Sequence, residues 1–416
     1  MSRDFHIIIW GATGFTGRLV ARYICQQYGI NKDVRWTIAG RNGDKLQQIR
    51  SELASIDPKA SELPLIIADS HDSALLRTMA ARTAVMLTTV GPYSAYGAEL
   101  VEACVQERTD YVDLCGETPF IRHMIDTHHE TAQQNGCRIV HCCGFDSIPS
   151  DIGVLYLQRE AEKRFGTTLP HVSFYVENSR GSMSGGTVAS MLNVIDQSRD
   201  PAVRKVLVNP YGLNPNDGYR GPDKSDQQSA KWDDVIEKWT APFVMAGINT
   251  RVVRRSNALL DYAWGKDFSY REVMAMKKGF KGWWKAQQLT FGLAAFMLLA
   301  WSQLTRRLLT STVLPAPGEG PSAEAQERGF FKIRLIGTGD PGRLEVVVRG
   351  NRDPGYGATS RMLAESALCL ALERDSLPDR CGVLTPASGI GTVLVNRLEN
   401  ADVTFNVDRT EAVPGQ

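Results

Sequence analysis

Three glycines at a fixed spacing are the first residues of this chain equipped for chemistry. Gly11, Gly14 and Gly17 follow the apolar run Phe5 to Trp10 and enclose Thr13, Phe15 and Thr16. An amphipathic stretch, Arg18 to Tyr28, comes next. Strand, tight turn and helix start, in that order, suit a diphosphate. A helix N-terminus carries roughly half a positive charge and several unpaired N–H groups. Gly11 would allow the sharp turn, Gly14 would let phosphate approach the backbone, and Gly17 would let helix pack on strand. The spacing is a relative of the Gly-x-Gly-x-x-Gly dinucleotide fingerprint, not a copy of it.

Further residues fall at the ends of later apolar runs. Arg41 stands where NAD-binding units carry an acid for the ribose 2′-hydroxyl. A planar, permanently charged guanidinium there suits the 2′-phosphate of NADP(H) instead; the plainer reading is a solvated arginine. Asp69 ends a short run and is expected beside the adenine. Val90, Gly91 and Pro92 form one turn at a strand end, and Gly144 and Phe145 another, so both are expected against the cofactor. Tyr93 and Asp146 adjoin those turns and are the candidate catalytic proton donors. The competing readings are packing for Tyr93 and helix capping near Asp146, since Ser147, Ser150 and Asp151 all suit N-caps.

Six strands must position these groups: 5–10, 34–40, 65–68, 84–90, 111–114 and 138–143, alternating with helices. That alternation predicts an α/β fold, an N-terminal Rossmann doubly wound parallel sheet over residues 1–150. A second, α+β domain with an antiparallel sheet is expected over 151–355. Its signals are an alternating strand at 171–178 and a hairpin, 330–337 with 343–349, about Gly339-Asp340-Pro341-Gly342. The turn 181–187 feeds a helix at 188–197. Residues 200–226 read as a long functional flap, and 315–321 as a linker. Residues 356–416 are expected to form helices packing back on the first domain, one of them from the Thr385 cap to about Asn400.

The net charge of +1 gives no reason to expect nucleic acid as a partner. Eight cysteines without a CxxC pair suit reduced thiols in the cytoplasm. No signal segment is expected before the first strand. His141-Cys142-Cys143 lacks a second pair at ligand spacing, so no metal is expected, and Cys115 reads as packing. Leu289 to Trp301 is almost wholly apolar, with Lys277, Lys278, Lys281, Lys285, Trp283 and Trp284 before it and Arg306 and Arg307 after. Thirteen residues are too few to span a bilayer. The helix expected near 284–309 is either a buried or dimer-interface helix, or an interfacial one in peripheral contact with a membrane.

The motifs Gly11-Ala-Thr-Gly-Phe-Thr-Gly17, Ala39-Gly-Arg41, Val90-Gly-Pro-Tyr93, Tyr111-Val-Asp-Leu-Cys-Gly-Glu117 and Gly144-Phe-Asp-Ser-Ile-Pro-Ser-Asp151 together resemble the saccharopine dehydrogenase-like oxidoreductases. Ser184-Gly-Gly-Thr187, Tyr356-Gly-Ala-Thr359 with Glu365, and Gly382-Val-Leu-Thr-Pro386 extend the likeness over the whole chain. It is nearest to the branch of the trans-acting enoyl reductases. The resemblance implies NADP(H), a homodimer formed through the second domain, and a hydrophobic small-molecule or carrier-bound acyl substrate. It also implies association with membranes or lipid droplets; a cytoplasmic protein peripheral to the inner face of the plasma membrane is expected here. The expected activity is NADPH-dependent reduction of a lipid-like enoyl or polyketide-type group. The alternatives are a saccharopine-type amino-acid dehydrogenase and a non-catalytic NADP(H)-binding scaffold at a lipid surface.

Overall fold

A computed structural model describes residues 3–30, 32–181, 185–302, 305–306 and 320–412. The expected turn at 181–187 and linker at 315–321 lie partly outside those residues, and Arg307 wholly so. In the first half, β1 (Phe5–Trp10), β2 (Trp36–Gly40), β3 (Leu65–Ile67), β4 (Thr83–Thr88), β5 (Asp110–Val112) and β6 (Arg138–Val140) alternate with helices. These are α1 (Phe15–Tyr28), α2 (Gly43–Ala54), α3 (Ser73–Ala81), α4 (Tyr93–Tyr96), α5 (Ala98–Gln106) and α6 (Thr118–Asn135). β2 and β6 are buried at every position, and β1 and β4 at all but one. Burial on both faces is what continuous apolar runs require of a parallel sheet.

Beyond α7 (Ile148–Phe165) the pattern changes. β7 (His171–Arg180), α8 (Gly185–Gln197), α9 (Pro201–Val208), β8 (Lys231–Asp233) and β9 (Lys238–Pro242) come first. α10 (Ala246–Leu259), β10 (Ser269–Ala275), α11 (Gly279–Trp301), β11 (Phe330–Gly339) and β12 (Gly342–Gly350) follow. The chain ends with a helix, Thr359–Leu372, then β13 (Gly382–Leu384), two short helices, and β14 (Val403–Ala412).

Two seven-stranded sheets result. The first runs β13-β6-β5-β4-β1-β2-β3 and is parallel throughout. The second runs β14-β12-β11-β7-β10-β9-β8 and is antiparallel except where β7 meets β10. The doubly wound parallel sheet and the second, mainly antiparallel sheet are those expected. β13 adds a seventh strand beyond the six expected; its three residues are too short to carry a periodicity. β14 emerges where only helices were expected, and pairs with β12 in the second sheet. The expected helix from Thr385 to Asn400 is split into Pro386–Gly389 and Val393–Asn400. Thr385 does cap the first piece, with Pro386 in its first turn. The 200–226 segment contains α9, capped by the Asp200 carboxylate on the Ala202 N–H.

One apolar core is continuous from Ile7 and Ile9 of β1 to Val172, Ile333 and Val346 of the second sheet. The helix Thr359–Leu372 packs on β1, β4, β5 and α1. In the first sheet the strand order reverses between β1 and β4. The crevice at their carboxyl ends is the place where such sheets bind ligands.

Candidate active site

The turn after β1 is built from backbone. Gly11 has φ +88° and donates its N–H to Ala39 O at 3.0 Å. A Cβ on Gly11 would come within 2.6 Å of Val90 Cγ2, and one on Gly17 within 2.2 Å of Gly11 O. Gly14 caps α1 with no side-chain bond to its first turn and is exposed. The first-turn N–H groups of any helix lack intrahelical partners. At Gly14 a Cβ would meet only the Gly11 carbonyl oxygen, so the backbone at the start of α1 is not crowded by side chains there.

The next two strand ends lie beside it. Thr13 packs against Gly40, and Gly40 stands level with Ile67 of β3. Arg41 is exposed one residue past β2 and makes no ion pair among the described residues. Asn42 caps α2 by accepting from Lys45 N at 2.9 Å. Asp69 is exposed, with Oδ1 accepting from His71 N at 3.0 Å.

The turn after β4 is tied to the glycine turn by Thr89, whose Oγ1 donates to Gly11 O at 3.2 Å. Val90 is half-buried, and the Gly91–Pro92 bond is cis. Tyr93 follows, but its side chain turns inward and is 5% exposed. Its hydroxyl accepts from Leu114 N at 3.1 Å and points to Thr88 O at 3.4 Å. Burial, with Asp113 nearby, holds the phenol well above its ordinary pKa.

Asp146 has different surroundings. It is half-buried, past the end of β6, and its Oδ2 lies 3.8 Å from where a Cβ on Gly116 would sit. Among the described residues it has no hydrogen bond and no ion pair. Burial alone pushes its carboxyl up to about 6. Gly144 and Phe145 before it are held by Thr359, whose Oγ1 accepts from Phe145 N at 3.0 Å. The capping reading of the following residues is replaced by contacts with distant segments. Ser147 occupies the N-cap of α7 without a side-chain cap bond; its hydroxyl donates to Asn249 Oδ1 at 3.1 Å. Asp151 accepts from Ala387 N at 2.8 Å and from the Ser256 hydroxyl.

Sequence reasoning gave no role to Glu117, and the structure makes it a hub. Its buried carboxylate accepts from Tyr93 N at 2.8 Å, Ser94 N at 3.1 Å, Ser94 Oγ at 2.7 Å, Ser190 Oγ at 2.9 Å and Asn193 Nδ2 at 3.2 Å. Ser190 and Asn193 belong to α8, three residues apart and so on one face. The start of α8 reaches the other end of the crevice: Gly185 N donates to Tyr356 Oη at 3.1 Å, and the Tyr356 ring meets Phe15 edge-on at 4.7 Å. α8 thus spans from the glycine turn to the turn after β4. Glu117 could have been suspected from its place just past β5, a strand end. The face of α8 has no comparable sequence signal.

Asp113 and His141 form a second buried pair, with His141 Nδ1 2.7 Å from Asp113 Oδ2. The Tyr111 hydroxyl and the N–H groups of Cys115 and Cys142 also donate to Asp113. Cys115 is buried, and its thiol is held well above the ordinary range by burial. All eight cysteines are free thiols. Among the described residues, no three His, Cys, Asp or Glu side chains are grouped to hold a metal.

Comparison with known proteins agrees with this geometry. Residues 7–140 match the saccharopine dehydrogenase NADP binding domain. A Mycobacterium tuberculosis protein, provisionally named a trans-acting enoyl reductase, is 41% identical over 98% of both chains. Trans-acting enoyl reductases of Mycobacterium ulcerans and Mycobacterium bovis are 38% and 37% identical, again over 98% of each chain. Among solved structures, the apo saccharopine dehydrogenase (L-Glu forming) of Saccharomyces cerevisiae superposes with a TM-score of 0.51 at 14% identity, over 98% of this chain and 100% of its own. That likeness is one of fold.

Proposed function

This chain belongs to the trans-acting enoyl reductases of the saccharopine dehydrogenase-like oxidoreductases, and on that premise we propose that it reduces the double bond of a hydrophobic, carrier-bound enoyl group with NADPH. The diphosphate would lie on the α1 N-terminus at Gly14 to Gly17, with Thr13, Phe15 and Thr16 around it. The 2′-phosphate would meet Arg41, with Asp69 on the adenine side. Val90, Gly91, Pro92, Gly144 and Phe145 would line the nicotinamide end. NADPH supplies the hydride, which goes to the β-carbon. Asp146 gives its proton to the α-carbon, and water reprotonates it.

The observation that carries this reading is Asp146 itself: a carboxyl that has no hydrogen bond or ion pair among the described residues, raised to about 6 by burial, at a strand end of the crevice. Near that value a carboxyl holds its proton often enough at neutral pH to act as an acid. Tyr93, the other candidate, spends its hydroxyl on backbone groups. The test is titration with NADPH and NADH, followed by NADPH oxidation with an enoyl thioester. Tighter NADPH binding and turnover are expected. Equal weak binding of both nucleotides would sink the role of Arg41, and binding without oxidation would sink the enoyl reading.

The partner surface proposed is α11. Phe280, Trp284, Phe291 and Leu298 are 73%, 53%, 69% and 76% exposed. Their spacing of four, seven and seven puts them on one helix stripe, with Gly282, Ala286 and Ala300 buried on the opposite side. Lys277, Lys278, Lys281 and Lys285 flank it, and α11 packs on β9, whose partner strand β8 carries the exposed Trp232. No helix among the described residues is long and apolar enough to cross a membrane. An apolar stripe with tryptophan and lysine at one end suits the interface of an anionic bilayer. Flotation with phosphatidylglycerol vesicles tests this, and Trp284→Glu with Phe291→Glu should abolish it. Concentration-dependent dimerisation lost in the same variant, without flotation of the parent, would assign the stripe to a second copy instead.

A further inference from the structure

The Glu117 carboxylate is fully buried, and no lysine or arginine pairs with it among the described residues. Five donors from two separate segments satisfy it in place of a cation. Two are the backbone N–H groups of Tyr93 and Ser94 at the start of α4, which as first-turn groups have no intrahelical partner. The other segment is α8, through Ser190 and Asn193. Asn193 Nδ2 also donates directly to Ser94 Oγ, closing the same junction. α8 is held at its far end as well: Arg199 lies over the Trp301 ring at 5.6 Å, and Asp196 Oδ1 accepts from Arg306 Nη2 at 2.9 Å.

α8 therefore bridges the crevice and the end of α11, and Glu117 is its attachment on the crevice side. We propose that Glu117 is a positioning residue: it fixes α8 against the turn after β4, and so sets the geometry at the reacting end of the crevice without touching cofactor or substrate. This rests on the oxidoreductase reading above. Both carboxylate oxygens are needed, because each accepts from α4 and from α8 together. An amide keeps the shape but turns one oxygen into a donor facing donors.

The test is Glu117→Gln in the full chain, read by hydrogen exchange, NADPH titration and turnover of an enoyl thioester. Amides of 185–197 should exchange about tenfold faster, while those of 15–28 stay unchanged. NADPH affinity should stay within about threefold while kcat falls at least about tenfold, the split expected of a lost positioning contact. Unchanged exchange over 185–197 would overturn the proposal. So would faster exchange in 15–28 to the same degree, since that marks general destabilisation. Should Glu117→Gln not fold, the Ser190→Ala and Asn193→Ala pair removes only the donors of α8 and must give the same pattern. If the parent protein fails to turn over the thioester, the enoyl reading falls, and the exchange pattern alone decides Glu117.

Discussion

Gly17 lies so close beneath Gly11 that a Cβ on Gly17 would stand 2.2 Å from the Gly11 carbonyl oxygen. A methyl there must push α1 away from the end of β1. Overpacking of this kind costs about 1–3 kcal/mol. Gly17→Ala should therefore lower the urea midpoint and weaken NADPH together. Gly14→Ala separates the two effects. A Cβ at Gly14 meets only the Gly11 carbonyl, at 3.3 Å, and its φ of −78° is open to alanine. That variant should keep its stability within about 1 kcal/mol yet lose NADPH affinity, because the methyl occupies the phosphate approach. Unaltered NADPH affinity in Gly14→Ala would show that phosphate does not approach the backbone at Gly14.

Arg41 extends from the end of β2 with no ion pair among the described residues. Charged hydrogen bonds are worth about 1.5–3 kcal/mol. Arg41→Ala should weaken NADPH by roughly 10- to 100-fold and leave NADH nearly unchanged. Isothermal titration with both nucleotides checks this, and a parallel loss for both would show that Arg41 does not read the 2′-phosphate.

For Asp146 the direction with pH follows from burial, which raises its carboxyl to about 6. An acid works while protonated, so kcat should fall as pH rises through about 6. Asp146→Asn should lower kcat by about 10²- to 10⁴-fold, with little change in NADPH affinity and loss of that pH dependence. A pH profile that survives the substitution would move the acid elsewhere.

Tyr93→Phe should do the opposite. The hydroxyl joins buried backbone at Leu114 N and Thr88 O. Losing it leaves those groups unsatisfied, at about 1–3 kcal/mol. The expected result is a lower thermal midpoint with kcat within a few-fold of the parent. A large fall in kcat without a change in stability would restore Tyr93 as proton donor.

Two further carboxylates make stability depend on pH. Asp151 and Glu272 are buried, and burial raises each to about 7 from ordinary values of 3.8 and 4.5. Hydroxyl and amide groups surround them: Ser256 and Ala387 N at Asp151, Tyr270 and Asn249 at Glu272, with the like charge of Asp226 raising Glu272 further. The folded chain holds protons there that the unfolded chain releases above about 4. That stabilisation is complete below about 4 and is lost as pH rises through about 7. Between those limits each group changes stability by at most about 1.4 kcal/mol per pH unit. Urea midpoints should drop from pH 6 to pH 8.5, and Asp151→Asn should flatten the drop. An equal drop in that variant would rule out Asp151 as a source.

The parts whose causes are local were legible from the chain alone. An unbroken apolar run, a glycine turn and an amphipathic stretch make β1, the turn after it and α1 legible, because each is decided by neighbours in the chain. The same holds for the place of Arg41, one residue past the end of β2, and for the apolar character of α11. Tertiary structure decided which side chains at the strand ends face the crevice. Tyr93 and Asp146 looked equivalent in sequence; the fold turned one inward onto Leu114 and set the other beside Gly116 with no hydrogen bond or ion pair among the described residues. It also decided that β13 and β14 join different sheets, since strands are assigned by hydrogen-bonded partners far along the chain. Glu117 shows the reason most plainly. Its role exists only because Ser190 and Asn193, 73 and 76 residues away, arrive within hydrogen-bond distance, and no local pattern encodes that meeting.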